Sequence, residues 1–185
     1  MNKSLVTLVL IALLIVGCTK EKKQDPFQIG KQHIGLLTDS TQVKDLELIF
    51  PSDSIVKNIM GDEFTGDIND IEIYDTTGKQ LLTLTPTQSL DSTAVIKSIH
   101  ITDSRYKTDK NVSTMSTFGD IKNNYKISGI STLINSIVIS VNEINASFTI
   151  DKKQLPASLQ FNMDLKIEAV QIPDNAEIKY FMVYW

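Results

Sequence analysis

Short runs in which apolar and polar residues alternate make up most of the chain from residue 27 onward. Alternation with a period of two places successive side chains on opposite faces of a β-strand. β-Branched residues occupy many of the alternate positions, and Asp, Gly, Asn and Pro separate the runs. The pattern predicts strands at residues 55–60, 68–74, 81–85, 95–102, 125–130, 134–141, 146–150, 165–172 and 178–184.

Two segments, residues 41–50 and 116–125, follow the spacing of an amphipathic helix instead. Each has apolar side chains at positions i, i+3 and i+7, and each has an Asp close to its start. Each also begins with a hydroxyl residue, Thr41 or Ser116, that can accept a hydrogen bond from a free backbone N–H group. We therefore predict two short helices.

The two predicted helices match each other position by position, and a similar series of predicted strands follows each of them. The matched pairs are Thr41 with Ser116, Val43 with Phe118, Asp45 with Asp120, Leu46 with Ile121 and Phe50 with Tyr125, so each position i matches position i+75. Two unrelated amphipathic helices could also match at this level. We interpret the match as an internal duplication.

The predicted fold class is α+β, mainly antiparallel β with two short helices, as a duplicated helix-plus-sheet module. The halves would be residues 27–103 and 104–185, packed as one compact unit. Residues 75–79 contain Gly78 and predict a hairpin turn. The last strand, 178–184, is expected to close or pair an edge of the sheet.

Residues 1–17 have the layout of a secretory signal peptide. Lys3 precedes a continuous apolar run from residue 5 to residue 16, and Gly17 stands directly before Cys18. The apolar run is shorter than the roughly 20 residues that a membrane-spanning helix needs. Cys18 is the only cysteine of the chain, which excludes an internal disulfide and a cysteine-based zinc site.

The sequence Ile-Val-Gly-Cys at residues 15–18 resembles the lipobox of bacterial lipoproteins. The resemblance implies lipidation of Cys18, with acyl chains such as palmitate, and cleavage after Gly17. Residues 18–26 are polar and read as a flexible tether. Thr19 stands where Asp would favour retention at the inner membrane, so the resemblance favours the outer membrane, with the periplasmic and surface faces both open.

Three stretches resemble uncharacterised lipoproteins of the Bacteroidota, a family without an assigned activity. They read IGKQHIGLLTDSTQVKDLELIFPSDSIV, DSRYKT followed by STFGDIKNNY, and AVQIPDNAEIKYFMVYW. The helix motif is also similar to that of β-lactamase-inhibitor-like and small outer-membrane assembly lipoprotein modules, but no Gly precedes the hydroxyl residue in either half. Neither resemblance assigns a functional residue.

The charge balance is acidic, with 18 Lys and Arg against 22 Asp and Glu and a formal net charge of −4. Nucleic-acid binding needs a clustered basic face, so we exclude a nucleic acid as the main partner. The one arginine, Arg105, follows a predicted strand and reads as a member of a surface ion pair, with a ligand-binding role as the alternative. Lys20, Lys22 and Lys23 adjoin the lipid and could contact anionic head groups.

Catalytic and metal-binding motifs are absent from the sequence, and we predict no catalytic residue, cofactor or metal. His33 and His100 belong to no recognisable nucleophile or metal motif, and His100 is expected on the solvent face of its strand. The acidic stretch at residues 62–72 could supply calcium ligands or be an acidic turn; its candidate ligands are Asp62, Glu63, Asp67, Asn69 and Asp70. The C-terminal aromatic residues alternate as core and edge positions of a strand.

The sequence thus favours a lipid-anchored protein of the bacterial cell envelope that binds a protein or glycan and is not an enzyme. The alternatives are a carboxylate-dependent glycan hydrolase of the envelope and an accessory subunit of an outer-membrane complex.

Overall fold

The computed structural model describes residues 24–60, 68–160 and 166–185. Its strands are β1 Gln28–Ile29, β2 His33–Ile34, β3 Leu37–Thr38, β4 Ser54–Met60, β5 Ile68–Tyr74, β6 Gln80–Pro86, β7 Ile96–Ile101, β8 Lys107–Thr108, β9 Gly129–Thr132, β10 Ser136–Val141, β11 Ala146–Asp151 and β12 Tyr180–Tyr184. Its α-helices are α1 Leu46–Ile49, α2 Phe118–Asn124 and α3 Ala157–Gln160, and 3-10 helices occupy Val43–Asp45, Lys152–Gln154 and Ala169–Gln171.

The main feature of the fold is an eight-stranded sheet in the order β4-β5-β6-β7-β12-β11-β10-β9, in which every neighbouring pair is antiparallel. A smaller four-stranded sheet has the order β3-β2-β1-β8, and its β1 pairs parallel to β8. The predicted α+β class with a mainly antiparallel sheet is confirmed. The hairpin turn between β5 and β6 is also confirmed, since Gly78 has a φ of 83°.

The order of the elements repeats along the chain. Helix α1 is followed by the meander β4-β5-β6-β7, and helix α2 is followed by β9-β10-β11-β12. The fourth strands of the two series, β7 and β12, pair with each other in the middle of the sheet. Two similar four-stranded halves thereby form one continuous sheet.

Backbone hydrogen bonds at the start of each helix repeat between the matched positions of the two halves. The N–H of Val43 donates to the carbonyl of Ala94 at 3.0 Å, and the N–H of Phe118 donates to the carbonyl of Ala176 at 2.8 Å. Further repeated pairs are Lys44 to Ser92 with Gly119 to Asp174, and Ile96 to Thr41 with Ile178 to Ser116. In both halves the start of the helix is thus tied to the segment that precedes the fourth strand.

The matched helix positions are buried because they face the core. Leu46 is 1% exposed and Ile121 is fully buried, and their partners at the helix ends, Phe50 and Tyr125, are 8% and 5% exposed. The apolar residues of both helices, of the small sheet and of one face of the large sheet form a single core cluster. The periodicity of the sequence therefore reported the core-facing positions correctly.

Three strand predictions need correction. The predicted strand at 165–172 is wrong over its described part, where a 3-10 helix occupies Ala169–Gln171 and the side chains of Glu168 and Gln171 form a capping box. The predicted strand at 125–130 begins only at Gly129, since the N–H of Tyr125 still closes the last turn of α2. The last strand, β12, is central and does not lie at an edge, because it pairs with β7 on one side and β11 on the other.

Candidate functional site

The face of the large sheet opposite the core extends across all eight strands, and we call it the open face. One row of directly paired residues crosses it through Val56, Glu72, Thr83, His100, Met182, Ser147 and Ser140. The neighbours of these residues along each strand, such as Ile71 and Ile73 beside Glu72, point into the core. Apart from Ser147, which is 6% exposed, the open face therefore presents a mixed polar and apolar row to solvent.

His100 and Met182 mark the centre of the open face. Ile96 and Ile178 make the same hydrogen bond in their respective halves, so they occupy equivalent positions. In the fourth strands, residue i of the first half therefore matches residue i+82 of the second half. His100 and Met182 then occupy equivalent positions, and they are also direct cross-strand partners. An approximate twofold axis relating the halves passes between them.

Hydrogen bonds hold several polar side chains of the open face in place. The Tyr74 hydroxyl donates to Glu72 Oε2 at 2.8 Å, and the Thr85 hydroxyl donates to Asp70 Oδ1 at 2.8 Å. The bond to Glu72 raises the pKa of the Tyr74 hydroxyl above its usual value. The Glu72 carboxylate is thereby oriented by a residue of its own strand, and the Asp70 carboxylate by a residue of the neighbouring strand β6.

Aromatic rings lie on the β12 side of the open face. His100 contacts Tyr180 edge to face, with ring centroids 5.4 Å apart. Partial burial lowers the pKa of His100, and the charge of Asp70 only partly opposes this effect. Tyr180 and Tyr184 are 44% and 46% exposed, so both offer ring surface to a partner.

A cavity of about 340 Å³ lies where the open face meets the β10–β11 turn. Its lining contains Tyr184, Trp185, Asn142 and Asn145, together with serine side chains of β10 and β11. Within the described residues, the buried Trp185 Nε1 has no hydrogen-bond partner. This corner combines two aromatic rings with amide and hydroxyl groups.

A second polar cluster surrounds Arg105 on the side of the small sheet. The Arg105 guanidinium donates to Asp103 Oδ2 and Asp75 Oδ2, each at 2.8 Å from Nη2, and Lys79 Nζ lies 3.0 Å from Asp103 Oδ2. Its planar group also lies over the Phe27 ring, 4.9 Å from the centroid. Arg105 is thus in an ion pair, as expected, but one of its partners is fully buried.

A cavity of about 130 Å³ is lined by apolar side chains, by Asp53, and by Asp75 and Arg105 of the cluster. Partial desolvation, reinforced by the nearby charge of Asp75, raises the pKa of the Asp53 carboxyl despite the opposing charge of Arg105. The cavity is much smaller than typical ligand pockets, which offer roughly 300 Å³ or more. We therefore regard the Arg105 cluster mainly as a structural feature that joins the first half to the segment after β7.

Several residues singled out in the sequence lie outside the described part of the chain. These are residues 1–17, Cys18, Thr19, Lys20, Lys22, Lys23, Asp62, Glu63 and Asp67. Lipidation of Cys18 and calcium binding at residues 62–72 therefore stay predictions. Of the acidic stretch, Asp70 and Glu72 lie on the open face, bound to Thr85 and Tyr74.

The two histidines lie in different sheets. His33 lies in β2 of the small sheet, paired with Thr38, whereas His100 lies on the open face as expected. Among the described residues, no cluster of three or more His, Cys, Asp or Glu side chains could hold a metal ion. Within the same ranges, no helix has the length and apolar character needed to cross a membrane.

Two Asp-Ser/Thr-Thr triplets, at residues 75–77 and 91–93, form turns. Asp75 Oδ1 accepts a hydrogen bond from the Thr77 N–H at 2.9 Å, and Asp91 Oδ1 accepts one from the Thr93 N–H at 2.8 Å. Such local bonds are typical of Asp at the start of a turn. These residues therefore have a structural reason for their spacing.

Comparison with known proteins gives a fold match only. No protein-family model and no curated protein matches the chain. The crystal structure of the uncharacterised protein yfeY from Escherichia coli matches with a TM-score of 0.57 and 13% sequence identity, over 85% of this chain and 99% of the other. At this level of identity the likeness extends to the fold and not to a function.

Proposed function

We propose that this protein is a non-enzymatic binding module of the bacterial cell envelope, held at a membrane by lipid on Cys18, and that its open face binds a partner protein. The observation that carries the proposal is the extent of the open face, which runs across all eight strands of the sheet. The proposal that it is lipid-anchored rests on the residues around Cys18.

The dimensions of the open face suit a protein partner. Eight strands about 4.8 Å apart span roughly 34 Å, and a strand of six residues is about 20 Å long. The face therefore offers on the order of 700 Å², close to the roughly 800 Å² that each partner buries in a standard protein interface. A small ligand would leave most of this surface unused.

The composition of the open face also suits an interface. Tyrosine, methionine and histidine side chains at its centre lie among Thr, Ser and carboxylate groups. Aromatic and methionine residues are enriched at the centres of protein interfaces, where they fill partner pockets at low entropic cost. The half-buried Met182 and His100 would form this central anchor, with Tyr180 and Tyr184 beside it.

Glycan binding is the second candidate, and the cavity beside Tyr184 and Trp185 favours it. Its lining side chains are uncharged, and the side chains of Asn142 and Asn145 are available to a ligand. Aromatic rings with amide and hydroxyl groups suit the apolar ring faces and the hydroxyl groups of a neutral sugar. This site would occupy only one corner of the open face.

A site-specific crosslinking experiment distinguishes these functions. A photo-crosslinking amino acid at Thr83, on the open face, should give a discrete protein adduct in intact cells. The same amino acid at Asn123, exposed on α2 and remote from the open face, is the matched control. The adduct should disappear when Met182→Arg is added, because a large charge at the centre obstructs docking.

Equal adducts from Thr83 and Asn123, or an adduct that survives Met182→Arg, would contradict protein binding through the open face. Glycan binding is tested separately with a glycan array and the Tyr184→Ala variant. Retention of a neutral glycan by the native chain and loss by that variant would favour the second candidate.

The lipid anchor has its own experiment. Cys18→Ser should release the protein from the membrane fraction and abolish labelling by an acyl-chain probe, because the thiol is the proposed attachment atom. Unchanged membrane partitioning and labelling would contradict the proposal. Thr19→Ser is the control, since it alters the neighbouring residue while keeping the thiol.

A further inference from the structure

A cavity of about 660 Å³ lies at the end of the sheet, away from the twofold centre of the open face. Its lining comes from the turn between β9 and β10, the end of β11 with the 3-10 helix that follows it, the end of α3 and the residue before β12. Its volume is within the range of about 300 to 1,000 Å³ that is usual for small-molecule pockets. Lys152, Lys153 and Lys179 lie in its wall.

Lys152 is the unusual member of this wall. The residue is only 3% exposed, and its Nζ atom is closed off from solvent without a hydrogen-bond partner among the described residues. Lysine is almost never fully buried unless its charge is paired, because an ammonium group in a protein interior loses its hydration. Among the described residues, Lys152 Nζ therefore lacks the partner that a buried lysine normally has.

The backbone holds Lys152 in this position. Its N–H donates to the carbonyl of Asn135 at 3.0 Å, and its own carbonyl accepts from the N–H of Leu155 at 3.0 Å. The first bond ties the 3-10 helix to the β9–β10 turn, and the second closes the 3-10 helix itself. The backbone of Lys152 is thus fixed, and its flexible side chain would have to change rotamer for Nζ to reach an occupant of the cavity.

The charges around the cavity favour an anion. Lys179 Nζ lies 3.6 Å from Asp151 Oδ2, and the N–H of Lys153 donates to Asp151 Oδ1 at 3.0 Å. Among the described side chains of the wall, three lysines against Asp151 leave a charge of +2. Because the whole chain carries −4, this positive site is a local exception to the charge of the protein.

We propose that this cavity binds a phosphate group, with Lys152 supplying the buried charge and Lys153 and Lys179 supplying the exposed charges at its mouth. A phosphate dianion matches the charge of +2 and offers several acceptor oxygens to ammonium donors. The group belongs to a small phosphate ester or to a lipid head group. This site is separate from the open face and does not depend on what binds there.

Calorimetric titration of the full chain, purified in detergent, tests the site with inorganic phosphate at constant ionic strength and pH 7. Binding should weaken at least tenfold in Lys152→Met, which keeps the length of the side chain and removes its charge. Lys44→Met is the matched control, because Lys44 also lies in a 3-10 helix but is exposed and far from the cavity. Lys179→Gln removes an exposed charge of the wall and should weaken binding without disturbing the fold.

Thermal unfolding provides a second measurement. It remains informative if Lys152→Met is less stable than the native chain, because each protein is compared with itself in the presence and absence of phosphate. Phosphate should raise the melting temperature of the native chain and of Lys44→Met, and leave that of Lys152→Met unchanged. Equal stabilisation of the three proteins, or no binding by the native chain, would overturn the proposal. Preference for acetate over phosphate would overturn it as well.

Competition distinguishes the two sources of the phosphate group. Glycerol phosphate should displace inorganic phosphate if the ligand is a soluble ester, and phosphatidylglycerol vesicles should displace it if the ligand is a head group. Displacement by either supports the site and identifies the source. Failure of both to displace phosphate would count against a phosphate ester as the occupant.

Discussion

At the scale of single residues, Asp103 shows how a buried charge is stabilised in this fold. Its side chain is fully buried, yet its Oδ2 atom accepts from Nε and Nη2 of Arg105 at 3.1 and 2.8 Å. Burial alone would raise the pKa of this carboxyl, but the bonds from Arg105 and Lys79 outweigh burial and lower the pKa to about 2. The ionised form therefore stabilises the native state.

Replacing Asp103 by Asn should lower the free energy of unfolding by about 2 kcal/mol at pH 7. Asn carries no negative charge to pair with Arg105 and Lys79. Because the folded pKa is below the unfolded value of about 3.9, this stabilisation is present above pH 4. It should be lost as the pH falls toward 2. Urea unfolding between pH 7 and pH 2 measures both effects.

The exposed residue Asp39 provides the control for this experiment. Asp39→Asn should change stability by less than about 0.5 kcal/mol. If Asp103→Asn keeps the full acid dependence of the native chain between pH 4 and pH 2, then Asp103 is not the group responsible.

His100 gives a second prediction at this scale. Its partly buried position lowers its pKa, so the folded chain binds its proton less readily than the unfolded chain. Stability should therefore decrease as the pH falls through about 6.5, the unfolded value, and level off below the folded pKa. An NMR titration of the His100 ring should show a midpoint below 6.5, and His100→Gln should remove this part of the pH dependence.

Lys152 is a residue whose chemistry could not have been predicted from the sequence. Asp151-Lys-Lys-Gln154 reads as a solvated polar turn, because a charged run is normally exposed. Lys152 becomes buried only when its backbone bonds to Asn135 in the β9–β10 turn. The strands β10 and β11 separate these two residues in the sequence. By contrast, His100 could be placed on the solvent face because strand alternation fixes the orientation of each side chain.

At the scale of elements, the helix positions were predictable and the caps were not. Thr117, not the predicted Ser116, caps α2, since its side chain and that of Asp120 form a capping box. The Ser116 hydroxyl turns inward and accepts from the N–H of Ser113 at 3.1 Å, as Thr41 accepts from Thr38 at 2.9 Å in the first half. The duplicated hydroxyl is thus a turn-closing residue.

Strands were predicted correctly where apolar and polar residues alternate over many positions. The prediction failed for strands of only two residues and for an apolar segment that forms a capped turn. β5 and β6 were found because apolar residues alternate over most of their length. The strands of the small sheet have two residues each, too few to show any period. The apolar residues of 165–172 suggested a strand, but a capping box closes a 3-10 turn there instead.

Alanine substitutions in α2 separate the two hydroxyl roles. Thr117→Ala should lower the free energy of unfolding by about 1 kcal/mol through loss of the cap. Ser116→Ala should cost about 1–3 kcal/mol, because it leaves the buried N–H of Ser113 without an acceptor. Asn123→Ala, at an exposed helix position, is the control, and a larger effect of Thr117→Ala than of Ser116→Ala would contradict the assignment.

At the scale of the whole molecule, pairing between β7 and β12 makes one cooperative unit from two similar halves. The two strands carry the buried residues Ile99, Ile101, Phe181 and Val183, and the Phe181 ring lies 4.5 Å from that of Phe148. Because the core is a single cluster, neither half can open without exposing apolar surface of the other. Because the open face crosses both halves, unfolding of either half would disrupt it.

The two halves should accordingly unfold in one transition. Val183→Ala removes buried methyl groups at the junction and should lower the free energy of unfolding by about 2 kcal/mol. Hydrogen exchange of amides in β5 and β6 should accelerate as much as that in β10 and β11, since all of them are exposed only by global unfolding. Val170→Ala, at a position 86% exposed, should leave both rates unchanged. Acceleration confined to β10 and β11 would instead mean that the second half opens independently, and a partner bound across the open face would then be held by the first half alone.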